Sequence, residues 1–515
     1  MLEEFRNEPL TNFADEKNRR LMEEAIAGVH AALGREYDLI IGGQRVKTQD
    51  KIRSLNPSNI DEVVGYVSKA DTQLAGQAIQ AAAEAFKSWS RVPPMARARL
   101  MLKAAAIMRR RKLELAAWEA FEEGKTWAEA DGDVAEAIDY LEYYPRLMVD
   151  MATRRDLTRI PGEDNEATYI PLGVGIIIPP WNFPLAILTG MTSAAVVAGN
   201  TVVLKPASAS PVVGAKFMEI MEEAGLPPGV INFLPGSGGA IGDYLVSHPM
   251  TRFIAFTGSK EVGLRINTLA AQTQPGQIWI KRVIAEMGGK DAIVVDETAD
   301  LDLAAAGIVT SAFGFQGQKC SACSRVIATA PIYDELLNRV VERTKALRIG
   351  PATEYTTQVG PVVDQAAYDK IFKYIEIGKS EGRLVAGGGK APGNGYYIEP
   401  TIFADVPSNA RIAQEEIFGP VLAFMKAQDF RDAIRIANST EYGLTGSVYS
   451  RNREHLEMAR VEFHVGNLYF NRKCTGALVG VHPFGGFNMS GTDSKAGGPD
   501  YLLLFTQMKV VSEAL

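Results

Sequence analysis

Cysteine and histidine are scarce in this sequence, and long hydrophobic runs are missing. Among its 515 residues there are three cysteines, Cys320, Cys323 and Cys474, and five histidines. Because a disulfide framework needs paired cysteines, this odd and sparse set favours a reducing compartment, and we expect the cytoplasm. No apolar run reaches the ~18 residues of a membrane span, and the first residues do not resemble a secretory signal. We therefore expect no membrane partner.

An excess of positive charge is also missing. The chain has 54 lysines and arginines against 61 aspartates and glutamates, a formal net charge of −7. Binding to a phosphate backbone needs a basic surface, so we expect no nucleic acid partner. Cys320 and Cys323 form a C-x-x-C, which is half of a zinc site or a redox pair. A tetrahedral zinc site needs two more ligands, and no second C-x-x-C or H-x-x-x-H occurs, so we expect no metal.

The composition is that of an ordinary globular protein, with 46% hydrophobic and 22% charged residues. The length suits about three structural units. A polar N-terminal arm is predicted to precede a short hairpin around residues 37–48, and residues 94–150 have a helical pattern. Asp71 is a good N-cap for the amphipathic helix that follows it. The basic run at 109–112 is interpreted as a solvated helix face.

From about residue 170 the pattern changes to short apolar runs that alternate with helix-like stretches. This alternation predicts a parallel sheet built from right-handed crossover units, with ligands at the carboxyl ends of its strands. A second alternating block runs from residue 291 to about 487. The β-prone C-terminal tail needs a partner edge, either in its own chain or in a neighbouring subunit.

Two polar, glycine-bearing segments contain candidates for covalent chemistry. Cys320 lies in GFQGQKCSACSR rather than on an apolar face, and an accessible thiolate is a strong nucleophile. Glu286 precedes Gly-Gly, which allows a tight turn, and a carboxylate near a catalytic thiol can activate water against a thioester. Read alone, Cys320 could be a buried packing residue and Glu286 a surface glutamate.

Three further segments suggest ligand binding. Asn182, in the PPWNFP loop, could donate its amide N–H to an oxyanion, or merely form a turn. Lys205 follows a predicted strand, where a cation can meet a hydroxyl or phosphate. Glu416 and Phe418 share one side of an extended segment and would suit a ribose and a nicotinamide, although a plain strand entry has the same pattern.

Glycine loops provide a weaker signal. In residues 255–266 a strand ends in Gly-Ser before a helix, which exposes N–H groups to a pyrophosphate. This is not the common G-x-G-x-x-G pattern, and the loop at 236–242 lacks that spacing as well.

Taken in order, these segments resemble the aldehyde dehydrogenase superfamily over nearly the whole chain. The matching motifs are PWNFP (180–184), KPA (205–207), FTGS-x-x-x-G (256–263), E-x-GGK (286–290), GQ-x-C (317–320) and EEIFGP (415–420). The resemblance implies an α/β fold with a Rossmann-type cofactor domain (1–150 and 171–287), an α/β catalytic domain (288–487) and a small β oligomerisation element (151–170 and 488–515). It also implies a homodimer or higher homo-oligomer.

The resemblance assigns the chemistry residue by residue. Cys320 would be the nucleophile, Glu286 the general base, and Asn182 with the Cys320 N–H the oxyanion hole. Lys205 and Glu416 would hold the two ribose groups. The other cofactor residues it assigns are Ile178, Trp181, Ser208, Gly238, Gly258, Ser259, Gly263 and Phe418. Thiolate attack on the aldehyde, hydride loss to a nicotinamide, and hydrolysis of the thioester would follow in turn.

The residues around Cys320 and the segment from 462 to 492 resemble, more narrowly, the branch of the superfamily that converts glutamate 5-semialdehyde, formed from 1-pyrroline-5-carboxylate, to glutamate. The expected partner is therefore a small aldehyde that carries an α-amino acid group. Ser321, Gly476 and Ala477 would bind its carboxylate, Glu136 its amino group, and Phe183 and Phe484 its aliphatic chain. Glu136 could equally be an ordinary helix residue.

One position departs from many NAD-specific relatives. They have a glutamate three residues after the lysine of K-P-A, where this chain has Ser208. A carboxylate there would repel a 2′-phosphate, so we expect NAD to be preferred with NADP possible. Cys323 is interpreted as a packing residue, with a disulfide to the nucleophile under oxidation as the alternative.

Three alternatives to the assigned function stay open from sequence. They are an aldehyde dehydrogenase for another acidic semialdehyde such as succinate semialdehyde, a non-catalytic binding relative, and a fused proline-oxidising protein. The chain retains both Cys320 and Glu286, and its length argues against an additional catalytic domain.

Overall fold

The computed structural model describes residues 3–153 and 155–515, and within them helices and strands alternate along most of the chain. The helices are α1 Glu16–His30, α2 Thr72–Trp89, α3 Pro94–Arg110, α4 Lys112–Glu122, α5 Trp127–Met151, α6 Ala186–Val197, α7 Pro211–Ala224, α8 Asp243–Ser247, α9 Lys260–Ala271, α10 Leu301–Phe313, α11 Tyr333–Lys345, α12 Gln365–Glu381, α13 Arg411–Gln414, α14 Phe430–Ala437 and α15 Arg453–Glu462.

The strands belong to five sheets. They are β1 Arg35–Tyr37, β2 Leu39–Ile41, β3 Gln44–Val46, β4 Lys51–Asn56, β5 Asn59–Ser68, β6 Arg155–Asp156, β7 Glu163–Pro171, β8 Val174–Ile178, β9 Thr201–Leu204, β10 Ile231–Phe233, β11 Thr251–Thr257, β12 Arg282–Glu286, β13 Asp291–Val295, β14 Cys323–Thr329, β15 Arg383–Ala386, β16 Thr401–Ala404, β17 Val421–Ala427, β18 Tyr442–Gly443, β19 Thr445–Tyr449, β20 Asn467–Phe470, β21 Phe487–Asn488 and β22 Thr506–Ala514.

The first large sheet has the strand order β12-β11-β8-β9-β10-β2-β3. Its first five strands pair in parallel, as the alternation of apolar runs and helices predicted. The predicted hairpin near residue 40 is β2 and β3, which pair antiparallel and join the far edge. The Asp71 side chain accepts from the Leu74 N–H and begins α2, which confirms that cap.

Two local predictions in the N-terminal half were wrong. The arm contains the helix α1, which begins where the Asp15 side chain accepts from the Lys17 N–H and which buries Met22 and Val29. Two apolar residues on one face are enough to anchor a helix that is otherwise polar. The basic run at 109–112 is not one solvated face, because α3 ends inside it and Lys112 is buried against Asp131, 3.0 Å away.

The second large sheet has the order β15-β16-β17-β14-β13-β19-β20 and begins within the block predicted from residue 291. Apart from the antiparallel edge strand β15, its strands pair in parallel. Its core strands β13 and β14 are fully or almost fully buried, because helices cover both faces. Among the described residues, no helix is long and apolar enough to cross a membrane.

The C-terminal tail finds its partner edge within its own chain. β22 pairs antiparallel with β7 along its whole length, from Thr506 opposite Pro171 to Ala514 opposite Glu163. The sheet is narrow, with the order β22-β7-β6, and Met508 and Val510 remain exposed on it. Of the two alternatives open from sequence, the structure shows pairing inside the chain.

Candidate active site

The carboxyl edge of the first sheet collects most of the candidate residues. Ile178 ends β8, Lys205 follows β9, Gly258 follows β11, and Glu286 ends β12. These parallel strands are neighbours, and the register places Thr257 beside Glu286. Gly258 also donates its N–H to the Glu286 carbonyl oxygen at 3.1 Å. Parallel pairing therefore brings together residues that lie far apart in the sequence.

Cys320 comes from the other large sheet, in the loop that precedes β14. That loop passes through left-handed backbone at Phe315 (φ 47°) and Gln316 (φ 57°), which non-glycine residues adopt rarely. The Gln316 amide holds it by donating to the carbonyl oxygens of Gly124 and Pro361, at 3.1 and 2.7 Å. Cys320 is partly exposed at the end of this fixed segment. An accessible position on a rigid loop is what a nucleophile requires.

The two glycines after Glu286 explain why three motifs meet. A Cβ on Gly288 would collide with the Glu416 carboxylate, and a Cβ on Gly289 would collide with the Cys320 carbonyl oxygen. Gly289 also donates its N–H to Glu416 Oε1 at 3.0 Å. The turn thus packs directly against the nucleophile loop on one side and against the Glu416 segment on the other. Only residues without a side chain allow that approach.

Asn182 is buried and its side chain is oriented by the nucleophile loop. Its Nδ2 donates to the Gln318 carbonyl oxygen at 3.0 Å, two residues before Cys320. Gln318 is itself held, because its Oε1 accepts from the Val363 N–H at 2.9 Å. One amide hydrogen of Asn182 is used in this contact, and the amide group has a second one for a ligand.

Without a ligand, the surroundings of the site favour the protonated, neutral forms of Cys320 and Glu286. Burial raises the pKa of the Cys320 thiol well above its usual value, and Glu286, Asp291 and Glu416 raise it further. Burial also raises the pKa of Glu286 to about 8, although Lys495 opposes this shift and Glu136 adds to it. A carboxyl group with a pKa near the operating pH is suited to general-base catalysis.

The residues assigned to the cofactor include a buried lysine and a pair of aromatic rings. Lys205 is buried, burial lowers its pKa to about 8, and its hydrogen bond among the described residues is a weak one to the Pro206 carbonyl, at 3.4 Å. Trp181 contacts Phe418 edge-on, with ring centroids 5.5 Å apart. Phe418 and Glu416 line a small cavity of about 20 Å³ beside Cys323 and Lys319. A buried, weakly bonded lysine fits a ligand that carries hydroxyls, and the pair of aromatic rings fits a ligand with a flat ring.

The glycine loop before α9 has a packing role that the sequence did not indicate. Ser259 caps α9 by accepting from the Val262 N–H. A Cβ on Gly263 would collide with Met287, and one on Gly258 with Phe256. These glycines therefore let α9 lie close to the sheet, as a helix above a dinucleotide does. Gly238 is exposed at the start of the short π-helical turn Gly238–Gly242 after β10, and Ser208 is exposed in the loop after β9.

The residues assigned to the substrate carboxylate lie on two loops that touch. Cys474 Sγ donates to the Ser321 carbonyl oxygen at 3.4 Å. Arg472 donates to the carbonyl oxygens of Thr475 and Gly476, at 2.9 and 3.0 Å, and fixes the turn at Gly476, where φ is 76°. Ala477 is partly exposed beside it.

The other residues assigned to the substrate lie on α5, on the PWNFP loop and on the segment before β21. Glu136, on α5, accepts from the Tyr140 hydroxyl at 3.1 Å, and burial raises its pKa to about 8. Phe183 is partly exposed and lies under the Lys125 ammonium, 4.4 Å from the ring centroid. Phe484 is partly exposed on a segment whose N–H donates to the Ala496 carbonyl at 2.8 Å.

Several buried polar residues near the site were not singled out from sequence. Lys290 follows the glycine pair, and its ammonium donates no hydrogen bond among the described residues. Burial lowers its pKa to about 7. Asp291 accepts from the Thr445 N–H at 2.7 Å. Cys323 is buried, and its thiol contacts that of Cys474. A GGK motif signals the lysine, but nothing in the sequence pairs two cysteines 151 residues apart.

The chain belongs to the aldehyde dehydrogenase family, whose sequence profile matches residues 45–511. Within that family it is 63% identical over 513 residues to the 1-pyrroline-5-carboxylate dehydrogenase of Geobacillus thermodenitrificans, with 100% of both chains covered. The crystal structure of the Thermus 1-pyrroline-5-carboxylate dehydrogenase with bound NAD is 57% identical, with a TM-score of 0.99 and 100% of both chains covered.

A third relative is larger. Proline utilization A from Bdellovibrio bacteriovorus is 48% identical with a TM-score of 0.98, and the match covers 99% of this chain and 53% of that one. The superfamily assignment and the predicted α/β architecture are confirmed. The chain is an oxidoreductase of the aldehyde dehydrogenase class.

Proposed function

We propose that the chain oxidises L-glutamate 5-semialdehyde, formed from 1-pyrroline-5-carboxylate, to L-glutamate with NAD, in proline and arginine degradation. The observation that carries this proposal is the joined pair of loops beside Cys320. Ser321 and the turn at Gly476 offer a hydroxyl and backbone N–H groups, and Lys319, Arg472 and Lys473 give the surroundings positive charge. Such donors suit a carboxylate. The close relatives of this chain are named for the same reaction.

In the proposed mechanism, the Cys320 thiolate forms a bond to the aldehyde carbon. The Asn182 amide and the Cys320 N–H donate to the oxygen that becomes negative. NAD, when bound, would accept the hydride that leaves this carbon, and a thioester on Cys320 would remain. Glu286 then removes a proton from the water that attacks the thioester, and the Cys320 sulfur leaves. Glu286 raises the pKa of the Cys320 thiol through its charge, so we place the attacking water between these two groups.

For the cofactor, Lys205 and Glu416 are proposed to bind the ribose hydroxyls. Ile178, Trp181 and Phe418 form the apolar walls beside the flat ring. Gly258, Ser259 and Gly263, at the start of α9, would hold the pyrophosphate together with Gly238, which begins the short helical turn after β10. Ile178, Lys205 and Gly258 lie at the carboxyl edge of the first sheet, which supports their assignment.

For the substrate, Ser321, Gly476 and Ala477 are proposed to hold the carboxylate and Glu136 the amino group, with Phe183 and Phe484 against the chain of methylenes. The raised pKa of Glu136, about 8, falls when a cationic group binds beside it, because an opposite charge favours the carboxylate. Substrate binding should therefore release a proton from Glu136 near neutral pH.

Steady-state kinetics with two semialdehydes test the substrate. The kcat/KM for glutamate 5-semialdehyde should exceed that for succinate semialdehyde by at least about a hundredfold, because the latter has no amino group for Glu136. Glu136→Gln should reduce this ratio, whereas Glu142→Gln, on the same helix but paired with Arg109 and Arg146, should not. A preference for the succinate compound would overturn the proposed substrate.

Ser208 is expected to control the choice between NAD and NADP. Ser208→Glu places a carboxylate beside the strand that carries Lys205, where it repels a 2′-phosphate. We expect kcat/KM for NADP to fall at least about tenfold while the value for NAD changes little. Ser380→Glu, which adds the same charge to an exposed position on α12, is the control and should leave both values alone. Equal losses for both cofactors would contradict this role.

The remaining proposals concern organisation. Residues 1–150 and 171–287 are proposed as the cofactor domain and 288–487 as the catalytic domain, which agrees with the strands of the two large sheets. Residues 151–170 and 488–515 are proposed as an oligomerisation element for a homodimer or larger assembly, supported by the exposed Met508 and Val510 of β22. The cysteines are free thiols, which supports a cytoplasmic location.

A further inference from the structure

A group of five buried charged residues lies next to the PWNFP loop, and none of them was assigned to the site from the sequence. Glu119 and Glu122 lie in the last turn of α4, Glu123 and Lys125 follow the helix, and Asp133 lies on α5. All five are buried, and Lys125 is the cation of the group. Both carboxylate oxygens of Glu119 and Glu123 have no hydrogen bond among the described residues, and burial raises the pKa of both groups. Among the acids of this group, Asp133 forms the shortest contact with the Lys125 ammonium.

The Lys125 ammonium is fixed from one side by carboxylates. It forms an ion pair with Asp133, and Glu119 Oε2 lies 3.3 Å away. Asp133 uses its other oxygen, Oδ1, to accept from the Ala186 N–H at 2.8 Å. Ala186 begins α6 directly after the PWNFP loop. The ion pair is thus connected by a hydrogen bond to the segment that carries Asn182.

On its other side Lys125 contacts two aromatic rings from two different loops. Its Nζ lies 4.4 Å from the ring centroid of Phe183 and 5.0 Å from that of Phe315. Phe183 follows Asn182 in the chain, and Phe315 lies in the strained segment that leads to Cys320. A desolvated cation over aromatic faces is held more strongly than an exposed one. Lys125 therefore contacts both segments that supply the proposed oxyanion hole.

We propose that Lys125 is a positioning residue for the oxyanion hole. It holds the loop with Asn182 and the loop with Cys320 at a fixed separation, so that the Asn182 amide and the Cys320 N–H converge on one oxygen. The hydrogen bond from Asn182 Nδ2 to the Gln318 carbonyl joins the same two loops at the site, and Lys125 joins them from behind. This inference rests on the proposed role of Asn182.

Stabilisation of the folded state does not by itself account for a buried ion pair such as that of Lys125 and Asp133. A buried ion pair is often no more stabilising than well-packed apolar residues of the same volume, because both charges must be desolvated. A cation that orients two loops gives them a single arrangement, and a displacement of about 1 Å at a catalytic group can reduce a rate about a hundredfold.

The test uses the hydrolysis of p-nitrophenyl acetate, which needs a thiolate and an oxyanion hole but no cofactor. Lys125→Met should reduce this rate between about tenfold and a hundredfold, and Asn182→Ala by about a hundredfold. The double variant should be no slower than Asn182→Ala, because both changes remove the same contribution. Alkylation of Cys320 by iodoacetamide develops no oxyanion, so its rate should stay the same in all three variants.

Lys216 provides a matched control. It is also a buried lysine, paired with Glu219 at 2.8 Å and lying over Trp118 at 4.7 Å and Tyr37 at 4.9 Å, but it is on α7 and contacts neither loop. Lys216→Met should leave ester hydrolysis unchanged. If Lys125→Met does not fold, the double variant Lys125→Met with Asp133→Asn removes both members of the ion pair. The amide introduced at position 133 still accepts from the Ala186 N–H, and this variant should show the same losses in ester hydrolysis.

Four results would overturn the proposal. Additive losses in the double variant would mean that Lys125 and Asn182 act independently. An equal fall in the alkylation rate, or the same effect from Lys216→Met, would show a general loss of structure. If Asn182→Ala itself leaves ester hydrolysis unchanged, the oxyanion role fails and this inference with it, whereas the proposed semialdehyde substrate is tested separately by the substrate kinetics.

Discussion

Replacing Cys320 by serine should abolish aldehyde oxidation, with kcat reduced at least about a thousandfold. Serine has almost the same size, so the fixed loop before β14 is preserved. Its hydroxyl ionises far less readily than a thiol, and the acidic surroundings of Cys320 already disfavour a negative charge at this position. The expected measurement is NADH formation under saturating aldehyde and NAD, together with NAD binding measured by the shift in Tm, which should stay as in the unmodified enzyme.

Cys323 gives the matched control for this substitution. Cys323 begins β14, and its buried thiol contacts that of Cys474. Cys323→Ser should therefore lower the stability of the protein but retain most of its activity. Iodoacetamide should inactivate the enzyme by modifying one cysteine, Cys320, as mass spectrometry can identify. If Cys320→Ser keeps more than a tenth of the activity, or if Cys323→Ser loses it, a different residue is the nucleophile.

The strands and their ligand-binding edge could be predicted from sequence because they depend on local pattern. Apolar runs near 176, 203 and 254 alternate with helices, and this alternation favours parallel strands whose carboxyl ends meet. The glycine pair after Glu286 signalled a close approach, and the structure identifies the partners as Glu416 and Cys320. Motif order thus predicted which residues belong together, although not which atoms touch.

The rest depends on packing between segments that are distant in the sequence. Lys125 lies in an ordinary linker between two helices, and only the fold places Phe183 and Phe315 against its ammonium. The helix α1 was missed because its apolar face is narrow and is completed by α4. Cys323 begins β14 and Cys474 follows β20, and only the fold brings their thiols into contact. Patterns within a short window contain no information about such contacts.

The two large sheets contribute opposite ends of their strands to the site. Glu286 and Lys205 follow or end strands of the first sheet, whereas Cys320, Glu416 and Gly289 precede strands of the second. The base and the nucleophile therefore come from separate hydrophobic cores. Their separation is set by the 288–289 turn, in which neither glycine has room for a side chain. We infer that this turn, more than either sheet, determines the catalytic geometry.

Replacing Glu286 by glutamine should separate the two halves of the reaction. Thioester formation does not need this base, so each active site should still release about one equivalent of NADH. Hydrolysis should then slow by about 10²–10⁴-fold, the usual contribution of a general base. Rapid-mixing absorbance at 340 nm measures the burst, and mass spectrometry of the quenched enzyme should find the acyl group on Cys320.

The pH dependence of hydrolysis gives the stricter test of Glu286. Burial raises its pKa to about 8, with Lys495 opposing and Glu136 adding to the shift, so the carboxylate that acts as base becomes populated as the pH rises. Hydrolysis of the thioester should accelerate up to about pH 8 and then level off, and Glu286→Gln should lose this rise. Glu122→Gln is the control, because burial also raises the pKa of Glu122, to about 7, and its carboxylate accepts from Ser54, Val212 and Val213. If the rise persists in Glu286→Gln, then another group, with Glu136 the nearest candidate by charge coupling, activates the water.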